Sequence, residues 1–561
     1  MISRHAMINR SRNYRISLGV CLLAVGLLGC ASAGSSNASR AITESPSAMI
    51  VQGQDVEAVK RLVVEVGGTV THELGIIRAV GAQLTPSQHA ALVKLDPSLR
   101  VLEDSTVQTS AKGGNGKGKG KGPYKTQSSL TSLIDADLLH QEGITGWGVT
   151  IAVLDTGMWG DDPIAQDSQG RDRILAVFNA STNEGSHAGT ADKSGHGTHV
   201  TSLMANSKPN GTGDFNGVAP DVDLISIQAF DAVGHGTYAD VIRGIDWAVA
   251  NKNLYGIRVL NLSFSAPPQS YYWDDPLNQA VMAAWRSGIV VVASAGNTGP
   301  DPMTVGVPGN VPYIITVGAM SDNFTPDDRT DDILASFSSV GPTYEAFVKP
   351  EIVAPGGHLL GSMQRKVKIA KQHPDFHDGG SYFTMSGTSQ ATAVVSGVAA
   401  LMLQADPSLT PDDVKCRLMA SARPAVNDQG ALAYSIFQQG AGVVNAYDAA
   451  YATVAGCANQ GLEIDLDLAG IEHYAGLARL AEDGCYYILD HDGFVWSDGF
   501  VWSDGFVWSD GFVWSDGFVW SDGFIWSDGF VWSDGFVWSD GFVWSDALTE
   551  PASINVWVEQ E

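Results

Sequence analysis

The stretch from Thr384 to Leu403, TMSGTSQATAVVSGVAALML, runs from a polar turn into an apolar segment rich in small residues. This pattern predicts a buried helix that begins near Ser389. A helix N-terminus carries N–H groups without carbonyl partners and the positive end of a dipole, and both stabilise an oxyanion. A serine at this junction therefore serves either as a nucleophile or, like many Ser and Thr residues, as a helix cap.

A nucleophilic serine needs a base and an acid that orients the base, and the chain offers both. Asp155 ends the apolar run Val149–Asp155, which predicts a strand buried on both faces with a carboxylate at the carboxyl edge of a sheet. His196 lies between two glycines in GHGTHV, at the start of another small-residue segment. The order Asp, His, Ser is a known order of the catalytic triad.

These segments resemble the subtilisin family of serine proteases. The motifs are DTG at 155–157, HGTHV at 196–200 and GTSQAT at 387–392, with lesser matches GVAP at 217–220, LNLSF at 260–264 and KPEIVAPG at 349–356. A fourth motif, ASAGN at 293–297, resembles the oxyanion-hole loop, which implies that Asn297 donates its side-chain amide. The family usually has Pro where this chain has Ala393, a change that we expect to loosen the helix without removing the chemistry.

The resemblance covers residues 127–456 and implies a three-layer α/β peptidase domain with a mostly parallel sheet. It also implies polypeptide substrates and catalysis without a cofactor; structural calcium is common in the family, but no ligands can be assigned here. Substrate would bind along exposed edges as an added strand. The implied substrate-binding residues are Ser263, Phe264, Ser265, Gly234 and Gly236, with Ala295 and Gly296 lining the pocket for the residue before the cut bond. Ser265 replaces a common Gly, which predicts a narrower pocket.

Other histidines receive non-catalytic interpretations. His235 repeats part of the His196 motif and is predicted to lie at the surface or in a subsite, whereas His199 is predicted to be structural. His373 and His377 lie in a polar insertion near two aspartates without a recognised metal-ligand spacing, which favours a solvated loop.

Residues 48–108 alternate short strands and helices in a βαββαβ pattern, which predicts a small ferredoxin-like α+β domain. This segment resembles the inhibitory propeptide of subtilisin-like proteases, with 101–107 as its last strand and exit. The resemblance implies that it assists folding and blocks the active site until it is cut. Residues 109–126 form a Gly/Lys-rich linker, and we predict self-processing between Gln108 and Thr126.

Residues 1–33 read as an export signal, because a basic region precedes the apolar run Ile16–Leu28. The sequence LLGC resembles a bacterial lipoprotein box, in which Cys30 would be lipidated; cleavage after Ala31-Ser-Ala33 is the alternative. The protein would then be secreted or held in the cell envelope, with a lipid on the precursor only. A formal net charge of −28 argues against nucleic acid as a partner.

Three cysteines lie beyond the signal, and export permits disulfides. A Cys416–Cys457 disulfide is favoured, with three buried thiols as the alternative. After a connector, 457–491, the hexapeptide DGFVWS occurs nine times within residues 492–546, once with Ile525 for Val, before a tail at 547–561. The Asp-Gly turn signals predict either a meander of tiny strands or a solenoid.

The repeat is interpreted either as a module for surface attachment, carbohydrate binding or self-association, or as a weakly structured expanded tail. The whole chain is predicted to be an exported serine endopeptidase made as a self-processed proenzyme. The alternative is a catalytically inactive protease-like surface or adhesion protein that displays the aromatic repeat.

Overall fold

The structure is a computed structural model that describes residues 44–109, 129–160, 162–186, 191–326, 328–427 and 432–481, and short strands between 486 and 531. The predictions for Cys30, the signal segment, most of the linker and most of the repeat lie outside the described residues. All elements described below belong to one unit, Pro46–Glu561.

A small α+β domain comes first in the chain. Its elements are β1 Ser47–Gln52, α1 Val56–Glu65, β2 Thr69–Leu74, β3 Ala79–Leu84, α2 Pro86–Leu95 and β4 Arg100–Glu103. The four strands form one antiparallel sheet in the order β2-β3-β1-β4. A short 3₁₀ helix at Gly75–Ile77 joins β2 to β3. The elements follow the predicted βαββαβ order, and valines of α1 pack on the sheet in a core of their own.

The chain then leaves this domain as β5 Thr106–Thr109, which corrects one boundary drawn from the sequence. Residues 101–107 contain the end of β4 and the start of β5, with Asp104 and Ser105 in neither strand, which agrees with the predicted last strand and exit. Thr109 is not the first linker residue, because it lies in β5. The strands that pair with β5 belong to the following domain. Sequence patterns within residues 48–108 do not reveal this pairing.

The remaining strands follow in chain order. They are β6 Thr150–Asp155, β7 Ile174–Asn179, β8 Glu184–Ser186, β9 Asp223–Gln228, β10 His235–Thr237, β11 Ile257–Leu262, β12 Phe264–Ser265, β13 Val290–Ser294, β14 Ile315–Ser321, β15 Ile333–Leu334, β16 Ile352–Pro355, β17 Leu359–Ser362, β18 Tyr382–Met385, β19 Ala478–Leu480, β20 Tyr486–Ile488, β21 Phe506–Trp508, β22 Phe512–Trp514, β23 Ile525–Ser527 and β24 Gly529–Val531.

The remaining helices are mostly in the larger domain. They are α3 Leu130–Leu133, α4 Ala136–Gln141, α5 Asp162–Ala165, α6 His196–Ala205, α7 Tyr238–Ala250, α8 Lys252–Tyr255, α9 Pro276–Arg286, α10 Lys368–Gln372, α11 Thr388–Ala405, α12 Pro411–Ala420, α13 Ile436–Gln439, α14 Ala446–Tyr451 and α15 Ile464–Leu468, with 3₁₀ helices at Arg329–Asp331 and Pro374–Phe376.

Nine strands form the central sheet, in the order β15-β14-β13-β11-β6-β9-β7-β8 with β16 beside β14. Only the pairs β7–β8 and β14–β15 are antiparallel, so the predicted mostly parallel sheet is confirmed. Every residue of β6 is buried, as expected for a parallel strand covered on both faces.

Helices cover both faces of the sheet. Gly244 of α7 lies against the side chain of Leu154, whereas Ser396 of α11 donates a hydrogen bond to Asn261. Asn261 is paired with Val153, which neighbours Leu154 on β6 and therefore points to the opposite face. The sheet thus lies between two helical layers, and α11 is buried through almost its whole length because it packs under β11, β13, β14 and β16.

The connector after the peptidase domain is tied to it. Cys416 and Cys457 form a disulfide, the pairing favoured from the sequence. The carboxylate of Asp467 accepts hydrogen bonds from the hydroxyls of Tyr272 and Tyr313, at 2.5 and 3.0 Å. In the repeat, β21 pairs with β22 and β23 with β24 as antiparallel hairpins. None of the helices that the structure describes combines the length and apolar character needed to cross a membrane.

Candidate active site

The last residue of β6, Asp155, lies buried at the carboxyl edge of the sheet. Its Oδ1 accepts a hydrogen bond from the Thr156 N–H and lies 2.7 Å from His196 Nδ1. Its Oδ2 has no hydrogen-bond partner among the described residues. The acid and the imidazole that the sequence singled out are therefore in direct contact.

His196 is the first residue of α6, and the flanking glycines bring it to Asp155. Gly195 caps the helix with φ 100°, a left-handed conformation that favours glycine. A Cβ on Gly197 would stand 2.0 Å from the carbonyl oxygen of Gly157, so only glycine lets the helix approach the end of β6. His196 is fully buried, and its Nε2 has no hydrogen-bond partner in the described part of the chain.

Asp192 shapes the loop before His196 and was missed by the sequence analysis. Its Oδ1 accepts from the N–H groups of Ser194 and Gly195 and from Thr156 Oγ1, and its Oδ2 accepts from the N–H and the hydroxyl of Thr198. Five donors on one buried carboxylate fix both ends of the His196 loop. The sequence Asp-Lys-Ser-Gly-His, with the Asp four residues before the histidine, was the available signal, since Asp favours such local turns.

Ser389 is the second residue of α11, whose N-cap is Gly387 without a side-chain cap. The capping interpretation of Ser389 is therefore wrong. Its hydroxyl donates to the carbonyl oxygen of Ser263 at 3.0 Å, and the described hydrogen bonds include none between Ser389 Oγ and His196 Nε2. The acid–base half of the predicted triad is thus formed, while the serine hydroxyl points to a neighbouring strand end. Ala393 lies inside an uninterrupted helix.

Asn297 follows β13 and is anchored to the start of α11. Its Oδ1 accepts from the Thr388 N–H at 3.0 Å and from the Thr388 hydroxyl at 2.9 Å. Because these bonds engage the oxygen, the amide N–H₂ group points away from Thr388. Asn297 and Ser389 are consequently held side by side at one helix N-terminus.

The predicted substrate-binding residues lie on two edges with β5 between them. β5 pairs antiparallel with β12, in the register Thr109 with Phe264 and Gln108 with Ser265. On its other side it pairs with β10, where Gly236 faces Val107, and the Thr109 N–H donates to Gly234 at 3.0 Å. These edges therefore bind an extended chain segment.

The segment Ala295–Asn297 forms a third wall next to β12, as its Gly296 contacts Ser265. Every residue that the resemblance assigned to substrate binding therefore lies at or next to the three-stranded sheet β10-β5-β12.

The other histidines singled out in the sequence lie outside the site around Ser389. His235 is exposed on β10. His199 is fully buried, its Nε2 donates to the Phe383 carbonyl at 3.0 Å, and burial lowers its pKa to about 4. His377 contacts the Met363 carbonyl in the insertion after β17. Within the described ranges, no three His, Cys, Asp or Glu side chains converge as a metal site, so structural calcium stays a prediction.

Comparison with known proteins fits this geometry. The sequence profile of the subtilase family, a peptidase family, matches residues 146–442. The chain belongs to the subtilase family. Serine protease AprX of Bacillus subtilis is 39% identical over 308 residues, which are 54% of this chain and 66% of AprX. Subtilisin NAT of Bacillus subtilis subsp. natto is 32% identical over 393 residues, which are 70% of this chain and 85% of that relative.

Among solved structures, fervidolysin from Fervidobacterium pennivorans, a keratinolytic enzyme related to subtilisin, matches with a TM-score of 0.55 and 26% identity. The match covers 73% of this chain and 61% of fervidolysin. This subtilase therefore spans a little under two thirds of AprX and of fervidolysin. Its family identifies it as a subtilisin-like serine endopeptidase.

Gln390, next to the nucleophile candidate, was also missed and offers a stability test. It is fully buried, and neither Nε2 nor Oε1 has a hydrogen-bond partner in the described structure. Burying an unsatisfied amide costs free energy, so Gln390→Met, of similar volume, is expected to raise the free energy of unfolding by about 1–2 kcal/mol. Denaturant unfolding in a Ser389→Ala background, where self-digestion is absent, measures the change.

Gln404 at the other end of α11 is the matched control. Its Oε1 accepts from the N–H groups of Thr145, Gly146 and Trp147. Gln404→Met leaves these donors unpaired and is expected to destabilise the protein. Equal losses in both variants would contradict the account of Gln390.

Proposed function

We propose that this subtilase hydrolyses peptide bonds through Ser389, His196, Asp155 and Asn297, and that it is made as a proenzyme that cuts itself just after β5. The observation that carries the proposal is the position of β5. This strand lies between the two edges predicted to bind substrate, and it leads toward Ser263, whose carbonyl holds the Ser389 hydroxyl.

In the proposed mechanism, Ser389 Oγ turns from the Ser263 carbonyl to His196 Nε2 when a peptide bond is in place. His196 takes the hydroxyl proton as Oγ attacks the carbonyl carbon, and it gives the proton to the leaving amine, which leaves an acyl-enzyme on Ser389. A water molecule that gives a proton to His196 then attacks the acyl carbon, and the Ser389 Oγ that is released takes that proton back. Asp155 keeps Nδ1 protonated, so that Nε2 is the free acceptor. Catalytic hydrogen bonds that tighten only with substrate are common, which is compatible with the present position of Oγ.

The oxyanion that forms would be stabilised by the side-chain amide of Asn297 and the N–H of Ser389. Among the N–H groups of the first turn of α11, that of Thr388 donates to Asn297, and those of Gln390 and Ala391 donate to Gly387. The described hydrogen bonds include no acceptor for the Ser389 N–H. A donor left over in the first turn of a helix is suited to a developing negative charge.

Replacing Asn297 tests this role. Asn297→Ala is expected to lower kcat by about 10²–10³-fold with little change in KM, because the lost bond forms in the transition state. Asn297→Asp keeps an acceptor for Thr388 but has no N–H to donate, and kcat is expected to fall at least as far. Steady-state kinetics on a peptide substrate decide the matter. If Asn297→Asp kept the wild-type kcat, Asn297 would hold the start of α11 in place without stabilising the oxyanion.

The small N-terminal domain is proposed to be the inhibitory propeptide, and its contacts with the peptidase domain support that role. Asp104 accepts from the Ala239 N–H in the first turn of α7 at 2.9 Å, where a carboxylate also meets the positive end of the helix dipole. His72 Nε2 lies 3.1 Å from Asp240, and Val107 is fully buried within the main core of the peptidase.

The register of β5 indicates which peptide bond is cut during self-processing. Thr109 is the last described residue of β5, and it pairs with Phe264, the neighbour of Ser263, whose carbonyl accepts from Ser389 Oγ. We therefore propose cleavage between Ser110 and Ala111, within the window predicted from the sequence. N-terminal sequencing that finds the mature chain starting elsewhere would refute this assignment.

We also propose export through residues 1–33, with a lipid on Cys30 of the precursor, so that cutting the linker frees the peptidase domain. This proposal rests on the sequence alone. A Cys30→Ala precursor that still partitions into the membrane fraction would count against the lipid.

A further inference from the structure

The segment between β17 and β18 carries a run of basic residues in an acidic chain. Of the seven residues from 365 to 371, four are Arg or Lys, whereas the whole chain has 33 such residues among 561 and a formal net charge of −28. The intervening Val367 is buried in a small core that is separate from the main one. The basic side chains are exposed, and they are those of Arg365, Lys366, Lys368 and Lys371.

This segment is joined to the loop that precedes His196. The N–H groups of Lys368 and Ile369 donate to the carbonyl oxygens of Lys193 and Ser194, at 2.9 and 3.0 Å. Lys193 is exposed as well, and it adds a fifth cation. The five cations form one basic surface, which consists of Lys193, Arg365, Lys366, Lys368 and Lys371.

The basic surface has no ion-pair partner among the described residues. Like charges that stay unpaired repel one another. An anionic ligand would relieve this repulsion, so the basic surface is suited to an acidic partner.

An open cavity of about 310 Å³ lies between this segment and α6. Arg365 and Lys366 line it together with the hydroxyl-bearing residues Thr198, Ser362 and Ser381. None of the described residues in its lining is acidic. Because cations and hydroxyl groups are donors to a carboxylate, the cavity is suited to an acidic side chain.

We propose, on the basis of the function proposed above, that the basic surface binds acidic segments of polypeptide substrates, a few residues away from the cut bond. Its position supports this, since Ser194 is two residues before His196 and β18 ends four residues before Ser389. An extended peptide advances about 3.3 Å per residue, so a short segment connects the bond at Ser389 with the basic surface. A positive surface attracts acidic chains and raises their rate of association.

Three peptides that are identical around the cut bond test the proposal. Beyond that bond, on one side or the other, they carry a run of Glu, of Gln or of Lys. Wild-type kcat/KM at low salt is expected to be about tenfold higher for the Glu peptide than for the Gln peptide in at least one of the two placements. The difference should vanish in about 1 M salt, where the screening length falls to about 3 Å.

Reversing the charge of the basic surface gives a positive readout. The triple variant Arg365→Glu, Lys366→Glu and Lys368→Glu is expected to prefer the Lys peptide over the Glu peptide by about tenfold, which only a folded and active protein can show. Lys208→Gln is the matched control, because Lys208 is exposed in the loop after α6 and outside the basic surface. Its preference should equal that of the wild type.

Two failures are distinguishable. Equal kcat/KM for the three peptides in the wild type, or an unchanged preference in the triple variant, would overturn the proposal while leaving the peptidase function intact. Failure of the wild type to hydrolyse any peptide would instead refute the proposed function.

The repeat is the other acidic candidate for the basic surface, since residues 492–546 include ten Asp and no Lys or Arg. Deleting residues 492–546 is expected to leave the preference for the Glu peptide over the Gln peptide unchanged. A stronger preference after the deletion would mean that the repeat occupies the basic surface, and it would overturn the assignment to substrate.

Discussion

Ser389→Ala is expected to lower kcat for peptide hydrolysis on the order of 10⁶-fold, the loss typical of a triad without its nucleophile. The oxyanion-forming groups at the start of α11 stay in place, because Asn297 is held by Thr388 and not by the Ser389 hydroxyl. The variant should therefore still bind peptides with near wild-type affinity. Binding without turnover separates the loss of a nucleophile from the loss of the fold.

The measurement needs protein that matures without its own activity. A recognition sequence for an unrelated protease, placed in the Gly/Lys-rich stretch 113–122, lets the wild type and the variant be cut alike. Rates on one peptide substrate are then compared, with Ser396→Ala as a control. Ser396 lies on the same helix and donates to Asn261. We expect Ser396→Ala to lose stability but to keep kcat within about tenfold.

The second large effect is expected for Asp155→Ala, which should lower kcat by about 10⁴-fold. Asp155 Oδ1 lies 2.7 Å from His196 Nδ1, and in the proposed mechanism it keeps the proton on that nitrogen. Without the carboxylate, the imidazole can present the wrong nitrogen to Ser389, and the imidazolium that forms during attack loses its counter-charge. KM should change much less than kcat, since Asp155 is buried away from the substrate edges.

A matched control and a direct readout complete this test. Asp301→Ala removes an exposed carboxylate and is expected to leave kcat unchanged. The proton signal of His196 Nδ1–H, measured by NMR in precursors that also carry Ser389→Ala and therefore stay uncut, should be lost with Asp155→Ala alone. A kcat loss below about tenfold for Asp155→Ala would mean that the imidazole is oriented without the carboxylate.

Much of the fold was predictable because local patterns and burial agree. The apolar run ending in Asp155 forms a strand whose six residues are all buried, and the small-residue segment after Ser389 forms a long buried helix. A residue at the end of a parallel strand and two residues at helix starts fall at the same edge of the sheet. Sequence order and strand ends were therefore sufficient to bring Asp155 and His196 together.

Other features depend on contacts between distant segments and could not be read from local patterns. Thr109 belongs to a strand only because the edges of β10 and β12 supply its partners. The Ser389 hydroxyl points to Ser263, which lies 126 positions away in the chain. The unsatisfied amide of Gln390 emerges only from the packing around α11. Each of these three features depends on contacts with residues far away in the chain.

The alternative of an inactive adhesion protein is weakened by the family and by the intact set of side chains. All four residues assigned to catalysis lie at one edge of the sheet or at the adjoining helix starts, and Asp155 contacts His196 directly. The role of the DGFVWS repeat stays a prediction. Attachment, self-association and an expanded tail are each compatible with the two described hairpins.

The most direct test of the central claim is the intact mass and N-terminal sequence of the full chain and of its Ser389→Ala variant, produced side by side. The account predicts that the wild-type chain loses its N-terminal domain and begins at Ala111, while the variant keeps that domain covalently attached. A wild-type chain that stays whole, or a variant cut at the same bond in the absence of other proteases, would contradict it.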